Sequence, residues 1–148
     1  MDIAELTRKA ESGRCVAQAT LGMHYLFGGD SVPVDYEKAF RYLSMAAEQG
    51  ASRAIANLGY IYLNGLGAPK DIKRAIQLLE DVGKVEFHAA LDLARIYAQG
   101  IDVSTDRAKA FEWYSVVVAA EDERFDHAAL SEELREAKDH IADFNPQH

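Results

Sequence analysis

The chain is short of the residues that would place it in several functional classes. Its single cysteine, Cys15, rules out an intramolecular disulfide and any CxxC motif, which fits a reducing, cytoplasmic setting. The five histidines, His24, His88, His127, His140 and His148, include no pair four residues apart and no HExxH, so no metal ligand set is legible. Neither GxGxxG nor GxxxxGK[ST] occurs, and nucleotide binding has no sequence support. Long apolar runs are missing too. The longest uncharged stretch, Ala54 to Pro69, is interrupted by Asn57, Gly59, Asn64 and Gly65 and falls short of the roughly 20 apolar residues of a membrane helix. At the start, Met1-Asp2-Ile3-Ala4-Glu5 has an acid where a secretory leader carries basic residues, so export by that route is not expected. Basic surplus is absent. The net charge is −8, and residues 1–74 hold 9 basic and 8 acidic side chains against 7 and 16 in residues 75–148. That C-terminal acidity repels nucleic acid and lipid headgroups and favours encounter with a basic protein.

What is present is an ordinary globular composition, 49% hydrophobic and 27% charged over 148 residues, enough for one domain. Within it one block recurs. Leu21-Gly22-x-x-Tyr25-x-x-Gly28, Leu58-Gly59-x-x-Tyr62-x-x-Gly65 and Leu93-Ala94-x-x-Tyr97-x-x-Gly100 are each followed by an Asp and, four residues on, an Ala: Asp35/Ala39, Asp71/Ala75 and Asp106/Ala110. The period is 37 residues and then 35, in the range of stacked supersecondary units. Leu and Tyr four apart share a helical face, extended one turn back by Ala17, Ala54 and Ala90. Gly28, Gly65 and Gly100 fall where a helix ends on positive φ, and the three aspartates fall where a side-chain oxygen caps a second helix. Pro33 and Pro69 lie in the first two intervening loops, and the third has none.

The second helices carry apolar residues at Ala39, Phe40, Leu43 and Ala46, at Ala75, Ile76, Leu78 and Leu79, and at Ala110, Phe111, Trp113, Tyr114, Val117 and Val118. Gly22 and Gly59, each costing about 1 kcal/mol inside a helix, predict close helix approach against Ala39 and Ala75. Cys15 is placed in a turn before the first helix of the first pair.

These residues resemble the Sel-one-like repeat family, relatives of the tetratricopeptide repeats, whose pattern is Ala…Leu-Gly-x-x-Tyr-x-x-Gly-x-Gly-Val…Asp-x-x-Lys-Ala…Trp…Ala-Ala…Gly; the match spans about residues 9 to 120. The third copy departs most, with Ala94 for Gly and Asp102 at the second turn glycine. The resemblance implies an all-α, α/α solenoid of three helical-hairpin repeats. The expected boundaries are an N-terminal capping helix in 1–13, repeats at 14–50, 51–84 and 85–125, and a C-terminal capping helix in 126–144, about eight helices in all. Ile3, Leu6 and Ala10 would pack the first cap, and Leu130, Leu134, Ala137 and Ile141 the last.

No residue set suggests catalysis, and no cofactor or metal is expected. Glu121-Asp122-Glu123 and Glu132-Glu133 have the look of a solvated face. In related solenoids the first helices line a concave groove. Carried onto this chain, the groove positions are Met23, Phe27, Tyr60, Asn64, Arg95 and Gln99, with Ala19, Ala56 and Leu91 a turn earlier and Arg53 and His88 at the entrance. The alternatives are that Met23 and Phe27 are buried under the N-terminal cap and that Arg95 pairs with a local acid. Function therefore points to a non-enzymatic module binding a protein or peptide in the groove. The alternative is an immunity protein or inhibitor that neutralises a basic toxin or nuclease through acidic residues 121–143. Neither nucleic acid nor membrane is an expected partner. The chain is read as a monomer or a weak dimer, the latter through Phe125 and Phe144.

Overall fold

In a computed structural model of the chain, residues 2–29, 31–120 and 131–144 are described. Glu121-Asp122-Glu123, Phe125, His127, Leu130 and His148 lie outside them. The described residues form eight α-helices and no strand: α1 Ile3–Glu11, α2 Cys15–Phe27, α3 Tyr36–Glu48, α4 Ser52–Asn64, α5 Ile72–Val82, α6 Phe87–Gln99, α7 Arg107–Ala119 and α8 Ser131–Asp143. Two compact units are present, Met1–Leu78 and Leu79–His148, with α5 spanning their boundary. In the first, α1 packs on α2, α2 on α3, and α4 on both α3 and α2. In the second, α7 packs on α6 and on α8.

The helix boundaries follow from the residues named in the sequence. Asp35, Asp71 and Asp106 each accept a bond at 3.0 Å from the backbone N–H three residues on, at Lys38, Arg74 and Lys109. That satisfies one of the four free donors at each helix start. The same aspartates donate their own N–H, at 2.9 Å, to the carbonyls of Tyr25, Tyr62 and Tyr97, which are free acceptors at the ends of α2, α4 and α6. One residue thus ties off both helices of a hairpin. A basic side chain then lies over the same tyrosine ring in each copy: Lys38 over Tyr25 at 5.2 Å, Arg74 over Tyr62 at 4.8 Å and Lys109 over Tyr97 at 4.9 Å.

Gly28, Gly65 and Gly100 take φ of 73°, 65° and 67°, as the helix ends require. In the third loop Asp102 adopts φ 52° at the place where Gly67 has 71° in the second, a left-handed conformation that Asp tolerates better than most residues. At their other ends α1 and α3 stop alike. Arg14 N–H donates to the Lys9 carbonyl at 3.1 Å and Ala51 N–H to the Ala46 carbonyl at 3.2 Å, and Gly13 and Gly50 have positive φ. The N-terminal helix therefore ends as a second helix of a repeat does.

The core follows the repeat positions. Ala17 and Leu21, Ala54 and Leu58, and Ala90 and Leu93 are buried, as are Tyr62 and Tyr97, while Tyr25 is half-buried. Leu6 and Ala10 of α1 pack with Ala17, Leu21 and Tyr42, and Ile3 lies at the edge of that cluster. Leu134 and Ala137 are buried in α8, and Ile141 is half-buried.

Several expectations need correction. Cys15 is the first residue of α2, not part of a turn, and its thiol points at the Ala46 carbonyl 3.7 Å away. Tyr42 and Val82 are buried as well, whereas Phe40, Ile76, Leu78, Phe111, Trp113 and Val118 are half-buried. Gly22 does sit at a close approach, but against Leu43. A Cβ there would lie 2.6 Å from Leu43 Cγ and 3.1 Å from its backbone nitrogen, one turn beyond the expected Ala39. Gln18, unremarked in the sequence, is buried. It donates to the Ala10 carbonyl at 3.0 Å and accepts from Gln49 at 2.7 Å, which joins the ends of α1 and α3.

Candidate protein-binding site

Helix α2 has two apolar faces. Ala17 and Leu21 turn to the core, while Val16, Ala19, Met23 and Phe27, spaced three, four and four residues apart, run along another side. On the second, Ala19 and Met23 also pack against the core cluster that contains Leu43 and Leu58. The second borders a cleft of about 570 Å³ in the first unit, closed on its other side by Ala51 and Arg53 at the start of α4 and ended by Gly28 and Gly29. Val16 is 79% exposed and Phe27 56%, unusual values for large apolar side chains with a core available.

Of the groove residues in this unit, Met23 is half-buried against the cluster that includes Ala39, Leu43 and Leu58. It does not belong to the cluster under α1, so the N-terminal cap covers neither it nor Phe27. Tyr60 is half-buried, with its ring 5.8 Å from that of Phe27 at 44°. Asn64 is exposed and donates back to the Tyr60 carbonyl at 2.9 Å, and Arg53 is exposed at the cleft mouth. Val16 was missed by the sequence reading. Its signal was an apolar residue seven before Met23, out of phase with Ala17 and Leu21.

In the second unit His88 and Gln99 are exposed, and the His88 ring stands edge-on to Phe87 at 5.4 Å. Leu91, placed in the groove by the sequence reading, is 2% exposed and belongs to the core. Arg95 forms a two-pronged pair with Glu136 of α8, Nε to Oε1 at 3.0 Å and Nη2 to Oε2 at 2.6 Å. Tyr114 O–H donates to the same carboxylate at 2.9 Å, and the His140 ring stacks on Tyr114 at 4.5 Å. The Arg95 bond holds the Glu136 carboxyl below its ordinary pKa, and the same bond raises Arg95. Desolvation, followed by the bond to Glu136, pushes the Tyr114 hydroxyl up. Beside them, burial lifts Asp92 to about 6, against the pull of Arg95. The groove position in this repeat is thus committed to fastening α8. Phe144 stacks on Phe111 at 4.4 Å.

Among the described residues no three His, Cys, Asp or Glu side chains are grouped to hold a metal ion, and no helix is long and apolar enough to cross a membrane.

Paired helices tied by a repeated Asp, with an apolar cleft beside them, define a helical-repeat scaffold. The Sel1 repeat pattern matches residues 15–50, 52–80 and 87–115, and the chain belongs to the Sel1-repeat family. It is 31% identical over 112 residues to the Sel1-repeat-containing protein YjcO of Escherichia coli, covering 72% of this chain and 48% of that protein. It thus spans about half the length of that curated relative. Over 75 residues, 51% of this chain and 14% of the other, it is 36% identical to DAP3-binding cell death enhancer 1 of Mus musculus.

Among solved structures it is similar to c5321, a protective antigen of uropathogenic Escherichia coli with an SLR fold. The TM-score is 0.72 at 33% identity, over 84% of this chain and 26% of that one. It is also similar to a Sel1 repeat protein from Oxalobacter formigenes, with a TM-score of 0.69 at 34% identity over 97% and 98% of the two chains. The α/α repeat class expected from the sequence is therefore the class of this fold. Sel1 repeats are generally protein-interaction modules, and their fold is a scaffold that is typically non-enzymatic.

Proposed function

We propose that the chain is a non-enzymatic module that holds a protein or peptide segment against its first helices, with Met23, Phe27, Tyr60, Asn64 and Arg53 as the principal contacts. The observation that carries this reading is the second apolar face of α2, where Val16 and Phe27 stay exposed beside a cleft of about 570 Å³. Aromatic residues, Met and Arg are the types enriched where partners dock. In the second unit, taken by itself, His88 and Gln99 are the corresponding exposed positions, and Arg95 contributes only where a partner can replace Glu136. The lone cysteine supports a cytoplasmic setting.

Co-purification from the native host with mass spectrometry identifies the partner, and titration calorimetry then measures its affinity. Phe27→Ala and Tyr60→Ala are each expected to weaken binding by about 1–3 kcal/mol with melting temperatures nearly unchanged. Affinities equal to the parent chain in both variants would remove the cleft from the interface. A second reading, neutralisation of a basic toxin or nuclease, rests on the 16 acidic against 7 basic residues in 75–148. It requires association that slows steeply with salt, whereas docking driven by apolar contacts depends only weakly on ionic strength.

A further inference from the structure

The second unit holds a carboxylate in a site made by two other helices. Glu136 of α8 meets Arg95 of α6 and Tyr114 of α7: the guanidinium donates from Nε and Nη2 to its two oxygens at 3.0 and 2.6 Å, and the Tyr114 hydroxyl donates to Oε1 at 2.9 Å. Tyr114 is 1% exposed, so its hydroxyl and the fork of Arg95 form a three-donor receptor that matches a carboxylate. Left empty, the receptor would strand a buried hydroxyl and a partly desolvated cation, which is costly. Any carboxylate satisfies it. The receptor therefore demands the group and not the particular residue that brings it.

The helix that brings it is held by little else. Among the described residues of α8 the buried apolar side chains are Leu134 and Ala137, with Ile141 half-buried. Its far end adds the stack of Phe144 on Phe111 and one bond from Arg107 to the Asp143 carbonyl. The ion pair is also reachable from solvent, with 36% of the Arg95 side chain and 27% of the Glu136 side chain exposed. A second acid can approach before the first has left. Arg95, moreover, stands two residues after the repeat leucine, where Met23 and Tyr60 stand in the other copies.

We propose that α8 is an autoinhibitory occupant of this site, and that the ligand it stands in for is a glutamate side chain on a helical segment of a protein partner. The segment is specified by what α8 itself presents: an apolar residue two before the glutamate and a small one directly after it, Leu134 and Ala137. On the same chain, α8 acts at an effective concentration on the order of millimolar, so a lone acid does not displace it and a partner must match those contacts as well. This rests on the reading of the chain as an interaction module, yet it uses no residue of the α2 cleft, so the two fail separately.

An acetylated and amidated peptide with the sequence of residues 131–144, and a second with glutamine in place of Glu136, provide the test. Each is titrated into the full isotope-labelled chain and into its Glu136→Ala and Glu136→Gln variants, and followed through the Arg95 Nε–H and backbone amide signals. In both variants the glutamate peptide is expected to shift Arg95 and to bind about tenfold or more tighter than the glutamine peptide. It is expected to bind the parent chain about tenfold or more weaker than the variants, because Glu136 is in the way. Glu136→Gln keeps the side-chain volume and carries the comparison should Glu136→Ala not fold. Equal binding of the two peptides would show that the site does not select a carboxylate, and equal binding to parent and variants that α8 does not guard it. An Arg95 signal unmoved by either peptide would show that no such site exists. Each of these results overturns the proposal and leaves the α2 cleft standing.

Discussion

Gly22 gives up helix propensity so that α2 can lie against Leu43. Alanine in its place gains about 1 kcal/mol of helix preference but sets a methyl 2.6 Å from Leu43 Cγ and 3.1 Å from the Leu43 nitrogen. Neither atom is the free end of a flexible chain. Gly22→Ala is therefore expected to destabilise by about 1–3 kcal/mol in denaturant unfolding, and a stabilised variant would contradict this packing.

Asp92 shows a cost of a different kind. Its folded pKa of about 6 lies above the ordinary 3.8, because burial disfavours the ionised form. The penalty is absent below about pH 4, grows as the pH rises through 6, and is complete above it. Asp92→Asn should raise the melting temperature by several degrees at pH 7.5 and barely change it at pH 4. Equal shifts at the two pH values would show that the carboxyl is not desolvated in the fold.

For the helical hairpin, the unit of construction is the Asp at its centre. In each copy its side chain caps one helix and its N–H closes the other, so Asp35→Ala, Asp71→Ala and Asp106→Ala should each cost about 1 kcal/mol in chemical denaturation. The corresponding Asn variants keep an acceptor oxygen and should lose much less. Neutral alanine variants would deny the cap its role. Half of this device was legible in the sequence. Asp after Gly and before an apolar helix announces a cap, and Gly28, Gly65 and Gly100 announce the stops, because these depend on local backbone geometry alone. The bond from each Asp N–H to a tyrosine carbonyl, and the cation over that ring, depend on how the chain folds back. The sequence does not display that at a readable spacing. The Arg95 and Glu136 pair joins residues 41 apart, and Leu43 replaced Ala39 opposite Gly22 because helix crossing chooses the ridge. Both are matters of packing, set by pairs of elements rather than by either alone.

Across the whole molecule, repetition made the architecture readable and left the partner unstated. A repeat pattern records what each hairpin needs from its neighbours, so Leu, Tyr, Gly and Asp recur. The positions on the other side of the first helices differ between copies: Met23 and Phe27 in α2, Tyr60 and Asn64 in α4, Arg95 and Gln99 in α6. Seven of the groove residues named from the sequence lie in the first unit, while in the second Leu91 is core and Arg95 fastens α8. The charge runs the same way, near balance in residues 1–74 and strongly acidic in 75–148. The central claim is that binding uses the outer face of α2 with α4. Hydrogen exchange of the complex with its captured host partner tests this most directly. The account predicts slowed exchange in residues 15–29 and 52–64 and little change in 131–143. Protection confined to 131–143, with α2 and α4 exchanging as in the free chain, would contradict it.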